Sequence, residues 1–266
     1  MYDLEYTKPE NIKNAVIDFD KSNDGKYLAG GMTLIPTLKA RLSSPDVLID
    51  LKSANLNSIT VTSSNVVVGS MTKHSEVANS KEITRSIPSL SNLAGRIGDH
   101  MVRNSGTIGG SVANNDPSAC YPSAVLALGA TVTTDQRSIS SIDFFKGMFE
   151  TCLKPNEIIT EISFPIPDKS AYIKFPNPAS RYAMVGVFVA KTDSDVKVAI
   201  TGASEDGVFR SSEIEKALSS DFSIQSIQHI KIEKEGLISD MHASSIYRSH
   251  LIIEMTKRAV LQINSI

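Results

Sequence analysis

Four apolar residues from Ile12 to Phe19 repeat at i, i+3, i+4 and i+7, which is the spacing of one face of an α-helix. Thr7 lies three residues before Glu10, and this pair predicts a capping box at the start of the helix. The polar residues SNDGK that follow are expected to end it. The N-terminal region is therefore expected to contain an amphipathic helix that packs on a core.

Two adjacent glycines separate the next predicted elements. The residues YLAGG are an apolar run that ends in Gly30 and Gly31, and DVLIDL is a second apolar run of strand length. Between them, MTLIPTLKARL carries leucines at helical spacing as far as Leu42, with Pro36 in the first turn. The first 51 residues are expected to form a layered unit of strand, glycine turn, helix and strand.

The period of the apolar positions changes again in the middle of the chain. SITVTSS and NVVVGSMT are expected to form paired strands, and HSEVANS a short helix. Apolar residues from Ile87 to Met101 repeat at helical spacing and predict one helix. This helix leads into RNSGTIGGSVANNDPSACYP, residues 103–122, whose glycines, prolines and small polar residues predict a loop.

The predicted boundary between two domains lies at FPIPDKS, where two prolines interrupt the pattern. Beyond it, AMVGVFVAK and VKVAITGA flank TDSD as a hairpin, and SSEIEKAL and SSIYRSHLIIEMTKRAVLQI are predicted helices. We expect an α+β chain with one domain at residues 1–167, divided into subdomains at about 1–53 and 54–167, and a second α+β domain at residues 168–266.

The composition argues against several classes of protein. The 266 residues are 41% hydrophobic, and a net charge of −2 gives no general attraction to nucleic acid or to an anionic membrane. Cys120 and Cys152 are too few for an iron–sulfur cluster or a cysteine-based zinc site, so no metal site is predicted. No basic apolar leader and no run of 18 apolar residues is present, which predicts a soluble cytoplasmic protein.

Two segments contain paired glycines beside small hydroxyl residues. The first glycine segment, AGGMTL at residues 29–34, has Thr33 after its glycines, and the second glycine segment, TIGGS at residues 107–111, has a hydroxyl residue on each side. Glycine lets consecutive backbone N–H groups converge on one anion, and hydroxyls add donors. A single pair is more often an ordinary turn, and neither a Gly-x-Gly-x-x-Gly fingerprint nor a P-loop is present. Together, the two segments can hold the two phosphates of a dinucleotide.

Longer stretches around both segments resemble a known family. KYLAGGMTLIPTLKARLSSPDVLIDL and IGDHMVRNSGTIGGSVANNDPSACYPSAVLALGA resemble the FAD-binding signatures of the flavoprotein (medium) subunit of molybdenum hydroxylases, of the xanthine dehydrogenase and aerobic carbon monoxide dehydrogenase type. YIKFPNPASRYAMVGVFVA resembles the opening of that family's C-terminal domain, and DMHASSIYRSHLIIEMTKRAV its final helix. The resemblance covers nearly the whole chain, in order.

The resemblance implies an FAD-binding domain of the para-cresol methylhydroxylase type, with FAD between two subdomains, and a smaller C-terminal domain of the carbon monoxide dehydrogenase flavoprotein type. It also implies that the two glycine segments hold the FAD pyrophosphate and that Asn115 and Asp116 approach the ribityl chain and isoalloxazine. Ile97 falls where a larger side chain packs on the adenine, or is simply a helix core residue. Lys174 matches a basic residue near the flavin ring, where a cation favours the anionic reduced flavin, or is an exposed strand lysine. The candidate cofactor-binding residues are Leu28, Ala29, Gly30, Gly31, Met32, Thr33, Leu34, Ile97, Thr107, Ile108, Gly109, Gly110, Ser111, Asn115, Asp116 and Lys174.

Two positions depart from the family's pattern. Met32 replaces the histidine of the usual Ala-Gly-Gly-His-Ser, although Thr33 keeps the hydroxyl. Cys120 replaces the carboxylate of the usual Asp-Pro-Ala-Ala-Asp, and we expect it to be a small, semi-buried filler rather than a redox thiol. Binding of phosphate by backbone amides is expected to survive the change at Met32, whereas any role of the family's Asp is not expected to carry over to Cys120.

The resemblance implies an electron-transfer subunit without a catalytic acid or base of its own. A large molybdenum–pterin subunit oxidises the substrate, a small subunit with two [2Fe–2S] clusters passes the electrons to FAD, and an acceptor such as NAD or a quinone removes them. The expected assembly is a dimer of heterotrimers. A stand-alone flavin-dependent oxidoreductase of the same fold and a flavin-free binding module are the alternatives.

Overall fold

In the computed structural model, which describes residues 1–265, the N-terminal segment forms a three-stranded parallel sheet in the order β1–β3–β2. Its elements are β1 (Glu5–Thr7), α1 (Ile12–Lys21), β2 (Gly25–Leu28), α2 (Leu34–Lys39) and β3 (Val47–Asp50), followed by a 3-10 turn at Leu51–Ser53. Both helices connect parallel strands, which need such crossovers. Ala15 of α1 and Ile49 of β3 lie in the small core of this unit.

Helix α1 begins later than the sequence predicts. Its N-cap is Asn11, whose side chain accepts a hydrogen bond from the backbone N–H of Asn14 at 2.9 Å. Thr7 is instead the last residue of β1 and pairs with Ile49. The predicted capping box at Thr7 and Glu10 was therefore wrong, because Thr7 pairs within β1 and the helix starts only after Asn11.

Helix α2 is shorter than predicted. It ends at Lys39, and the chain then turns at Arg41, whose φ is 59°. Leu38 is buried, but Leu42 is 79% exposed. The prediction that Leu42 belongs to the helical apolar face was wrong because the left-handed turn directs the chain away from the core.

A five-stranded antiparallel sheet follows, in the order β4–β5–β10–β6–β7. Its strands are β4 (Ile59–Val61), β5 (Asn65–Gly69), β6 (Thr131–Thr134), β7 (Ser138–Ser140) and β10 (Ile159–Pro165). The predicted pairing of the first two is confirmed. The helices between them are α3 (His74–Asn79), α4 (Lys81–Ser86), α5 (Pro88–Gly95), α6 (His100–Ser105), α7 (Ile108–Asn114), α8 (Tyr121–Ala127) and α9 (Ser141–Phe144).

The predicted helix over residues 87–101 is divided into α5 and α6. Gly98 has a φ of 41°, which breaks the helical path, and Met101 is 77% exposed. The loop predicted for residues 103–122 was also wrong at its centre, because α7 begins there after the N-cap Thr107. The second glycine segment thus lies mostly in the first turn of a helix.

The C-terminal part forms a four-stranded antiparallel sheet in the order β11–β12–β13–β14. The strands β8 (Phe145–Gly147) and β9 (Glu150–Thr151) form a two-stranded ribbon that precedes β10 in the chain. The elements of the C-terminal part are β11 (Lys169–Pro176), β12 (Ala183–Lys191), β13 (Val196–Ser204), β14 (Gly207–Arg210), α10 (Ser212–Ser220), α11 (Ile224–Ile227) and α12 (Ser245–Asn264). The predicted hairpin and the two predicted helices of this part are confirmed.

The two faces of this C-terminal sheet pack against different parts of the molecule. Val187 and Ile200 face α12, whereas Tyr172 and Phe188 join the core that contains Leu90. The main core therefore extends across residue 167, and the proposed division into domains there stays a prediction. No helix within residues 1–265 is both long and apolar enough to cross a membrane.

Candidate functional site

A cleft of about 820 Å³ runs along the molecule beside the two glycine segments. Its walls come from the β2–α2 connection, the chain from Ile97 to Ser111, the residues before α8, and the β11–β12 connection at residues 179–182. The volume and elongated lining are those of a site for a ligand of cofactor size.

The first glycine segment connects β2 to α2 and requires both of its glycines. Gly31 has a φ of 69°, a conformation that residues with a Cβ rarely adopt. A Cβ on Gly30 would lie 2.6 Å from the Cα of Gly106, so only glycine allows the two chain segments to approach this closely. The sequence of this segment therefore follows from its backbone path.

The backbone N–H groups of residues 30–33 donate to no protein acceptor within residues 1–265. They lie at the cleft and directly precede α2. Consecutive unbonded N–H groups present partial positive charge and form a concave site for an anion such as a phosphate. The first glycine segment is therefore suited to bind a phosphate through its backbone.

The second glycine segment is bonded differently. The N–H groups of Ile108 and Gly109 donate to the carbonyl oxygens of Thr72 and Ser70, at 3.0 and 2.8 Å. The Gly110 N–H donates to Thr107 Oγ1 at 3.1 Å. The expectation that amides of both segments converge on a ligand was thus wrong for the second, because two of its amides attach α7 to the chain after β5 and those of Gly110 and Ser111 bond to Thr107.

The glycines of the second segment serve close packing instead. A Cβ on Gly109 would lie 2.7 Å from the Ser70 carbonyl oxygen, and a Cβ on Gly110 would lie 3.3 Å from the Cβ of Ala29. The polar groups that this segment adds to the cleft are the hydroxyls of Thr107 and Ser111. Both can donate to an anion held by the first segment.

The structure brings thirteen of the sixteen predicted cofactor-binding residues to the cleft. The side chains of Leu28, Ile108 and Asn115 do not line it; Ile108 is fully buried in the main core. Asn115 has a φ of 42° and donates from Nδ2 to the carbonyl oxygens of Gly147 and Glu150, at 2.7 and 2.9 Å. It therefore holds the β8–β9 ribbon.

Several residues of the cleft carried no signal in the sequence. Phe149 lines it at the tip of the β8–β9 ribbon, with a φ of 57° and its N–H donating to the Asn115 carbonyl oxygen at 3.1 Å. Tyr182, half-exposed, lines it from the β11–β12 connection. Aromatic rings at such positions suit a planar ring system. Only tertiary contacts bring these two residues to the site.

Lys174 lies in the cleft wall and is only 8% exposed. Its Nζ donates to the carbonyl oxygens of Arg96 and Arg181, at 2.5 and 3.0 Å, and lies 3.6 Å from Cys120 Sγ. The interpretation of Lys174 as an exposed strand lysine was therefore wrong. The ammonium joins three segments of the wall, and its three protons all face protein atoms.

Three titratable groups of the cleft have displaced pKa values. Burial, reinforced by the charge of Arg103, lowers the pKa of His74 to about 4, so its imidazole is neutral near pH 7. Burial raises the pKa of Asp116, although the Ser118 N–H opposes the change. Hydrogen bonds from Arg137 lower the pKa of Glu157 to about 2 despite burial.

The arrangement fits FAD. An anion site at residues 30–33 lies within an elongated cleft, and apolar side chains such as Leu34, Ile97 and Leu153 line the remainder. A dinucleotide needs this combination, a central binding site for its diphosphate and apolar surface for two ring systems. No cluster of three His, Cys, Asp or Glu side chains within residues 1–265 could hold a metal ion.

Comparison with known proteins agrees with this geometry. Residues 2–167 match the family described as the FAD binding domain in molybdopterin dehydrogenase. The chain is 31% identical to the glyceraldehyde dehydrogenase medium chain of Sulfolobus acidocaldarius, over 98% of each chain.

Solved structures show the same architecture along the whole chain. Quinoline 2-oxidoreductase from Pseudomonas putida 86 superposes with a TM-score of 0.89 and 25% identity, covering 99% of this chain and 98% of that one. Carbon monoxide dehydrogenase from Hydrogenophaga pseudoflava superposes with a TM-score of 0.88 and 28% identity, covering 99% of this chain and 98% of that one. The predicted α+β FAD-binding fold is confirmed, and the chain belongs to the FAD-binding medium subunits of the molybdenum hydroxylases.

Proposed function

We propose that this chain passes electrons from [2Fe–2S] clusters of a small partner subunit, through its FAD, to an external acceptor. The observation that carries the proposal is the row of unbonded N–H groups at residues 30–33 inside a cleft of cofactor size. In this role a large partner subunit with molybdenum–pterin oxidises the substrate. Bound FAD supplies a centre that accepts two electrons and releases them singly or as a pair.

In this proposal the FAD pyrophosphate lies on the first glycine segment. The hydroxyls of Thr107 and Ser111 donate to the same phosphates, and the other candidate residues that line the cleft, Ile97 and Asp116 among them, contact the adenine, ribityl chain and flavin. The glycine at position 30 keeps both segments close enough to act on one diphosphate. The chain's own residues thus bind and orient the cofactor, and none needs to act as an acid or base.

The substrate of the complex is assigned to the large subunit. The proteins similar to this chain carry names that refer to glyceraldehyde, quinoline and carbon monoxide, yet their identities with it lie between 25% and 31%. Medium subunits that occur in complexes with such different substrates have one role in common. We place this role in a cytoplasmic dimer of heterotrimers, with NAD or a quinone as acceptor.

Purification of the tagged chain from its native host tests the proposal. The expected product is a yellow complex with a molybdenum–pterin subunit and an iron–sulfur subunit, whose flavin is reduced by substrate and reoxidised by the acceptor. In rapid mixing with substrate, the iron–sulfur absorbance should bleach before or with the flavin band. A yellow monomer that oxidises a small substrate unaided would establish the stand-alone alternative, and a complex whose flavin stays oxidised would refute the electron route.

A further inference from the structure

Cys120 lies in the wall of the cleft immediately before α8 and is 5% exposed. Apart from this exposed surface, it packs in the main core. A reagent in solution therefore reaches its sulfur through the cleft, and a ligand that fills the cleft blocks that route. The accessibility of the Cys120 sulfur to a reagent therefore depends on whether a ligand fills the cleft.

The Cys120 sulfur faces a buried cation. Lys174 Nζ lies 3.6 Å from Sγ, and no carboxylate within residues 1–265 forms an ion pair with this ammonium. A buried ammonium bound only by carbonyl dipoles stabilises negative charge that develops on a neighbouring atom. An oxygen added to the sulfur would therefore lie beside a charged hydrogen-bond donor.

A second polar group beside Cys120 lacks a partner. Tyr172 is fully buried, its hydroxyl has no nitrogen or oxygen partner within residues 1–265, and the sulfur of Cys120 beside it is a weak acceptor. Buried hydroxyls nearly always have an acceptor. An oxygen atom on the Cys120 sulfur would supply one. Tyr172 and Lys174 thus form a site that suits an oxidised sulfur better than a thiol.

We propose that Cys120 is a modification site, oxidised by hydrogen peroxide when the cleft is empty and protected when FAD fills it. The sulfur attacks one peroxide oxygen, so that an S–O bond forms while the O–O bond breaks. The thiol proton leaves with the displaced hydroxide as water; the sulfur loses two electrons and the peroxide gains them. The product is a sulfenic acid held by Lys174 and Tyr172.

The modification controls loading of the cofactor. The added oxygen competes for the Lys174 ammonium, which joins the Arg96 and Arg181 segments of the cleft wall. An oxidised chain therefore takes up FAD slowly, and reduction by a dithiol restores loading. The inference rests on the assignment of this cleft as the FAD site. Cys152 provides an internal comparison, because it is half-buried and does not line the cleft.

The experiment treats the full chain, with and without FAD, with hydrogen peroxide and dimedone, and measures labelling of each cysteine by peptide mass spectrometry. We expect Cys120 of the FAD-free chain to be labelled about tenfold faster than in the loaded chain, while Cys152 changes by less than about twofold. The Tyr172→Phe variant, which keeps the ring, should accumulate about threefold less sulfenic acid at Cys120.

Uptake of FAD after peroxide treatment gives the second measurement. In the wild type and in the control Cys152→Ser, uptake should fall about tenfold and recover with dithiothreitol, whereas peroxide should leave uptake by Cys120→Ser at its own starting level. Equal labelling of Cys120 in both states, no labelling at all, or peroxide-sensitive uptake in Cys120→Ser would overturn the inference.

Hydrogen exchange separates this inference from the site assignment. If FAD slows exchange at residues 29–34 but leaves Cys120 labelling unchanged, the cleft is the FAD site and the inference on Cys120 is wrong. If FAD binds without slowing exchange there, the site assignment itself is wrong.

Discussion

The two glycine segments look alike in sequence and do different work in the fold. In residues 29–34 the glycines allow a left-handed turn and leave consecutive N–H groups unbonded at the cleft. In residues 107–111 they let α7 pack closely on Ser70, and the amides are bonded to protein. A Gly-Gly pair can thus leave backbone N–H groups unbonded at a cleft in one segment and permit close packing with bonded amides in the other.

The largest expected effect is on cofactor binding by the first segment. Gly31→Val forces a β-branched residue to a φ of 69° and places its Cβ 2.9 Å from Ile35 Cγ1. We expect FAD affinity to fall about 100-fold, about 3 kcal/mol, because the N–H groups lose their common direction. Titration calorimetry measures the affinity. If the melting temperature of the variant fell while its affinity for FAD stayed unchanged, the first glycine segment would serve the fold and not FAD binding.

A substitution in the second glycine segment is expected to have a smaller effect, and on stability rather than on FAD affinity. Gly109→Ala pushes a methyl group against the Ser70 backbone, so the free energy of unfolding should drop by about 2 kcal/mol. The affinity of the folded protein for FAD should stay within about threefold. Denaturant unfolding with and without FAD measures both. Gly95→Ala, where the nearest atom to the new Cβ is 3.9 Å away, is the matched control.

The pH dependence of stability tests the burial of His74 beside the first glycine segment. His74 packs against Gly106, which in turn touches Gly30. Its pKa is about 4 in the folded chain and 6.5 in the reference state, so the unfolded chain binds the extra proton between these values. Stability is therefore complete above pH 6.5 and should be lower by about 2 kcal/mol at pH 5. Unfolding at several pH values measures it.

The His74→Gln variant is the control for this dependence. It removes the titrating group, so its stability should lose the slope between pH 6.5 and 4 that His74 contributes. An unchanged slope in the variant would assign the dependence to another group.

The smallest expected effects come from the hydroxyls. Thr33→Val and Ser111→Ala each remove one donor at the cleft, and each should weaken FAD binding by about 1 kcal/mol, roughly fivefold. Equal losses would show that both segments contact the same diphosphate. If only Thr33→Val weakened binding, the second segment would be a purely structural neighbour. Calorimetric titration of both variants against the wild type distinguishes the cases.

The sequence predicted those parts of the site whose chemistry is local. The glycine pairs, Thr33 and Ser111 were found because their residue types and their neighbours along the chain carry the signal. Phe149 and Tyr182 were missed because only long-range pairing, including the contact of Phe149 with Asn115, brings them to the cleft.

The errors in secondary structure have the same origin. The apolar spacing that predicted one helix over residues 87–101 is interrupted by the single left-handed residue Gly98. Likewise, the polar composition around Gly109 concealed α7, because its helical turn is stabilised by bonds to Ser70 and Thr72 rather than by local propensity. Lys174 lines the cleft, but its carbonyl partners lie 78 residues before it and 7 after it, so the sequence carried no signal for them.

The position of β10 in the five-stranded sheet sets the order in which this protein can be made. It lies between β5 and β6, so the β4–β5 and β6–β7 pairs cannot join into one sheet until residue 165 has left the ribosome. The cleft wall at residues 174–182 is synthesised later still. A nascent chain shorter than this cannot enclose its cofactor, because long-range pairing must precede the binding surface. Loading with FAD is therefore a late event in biosynthesis, and the chain must remain protected from aggregation until its final third has emerged.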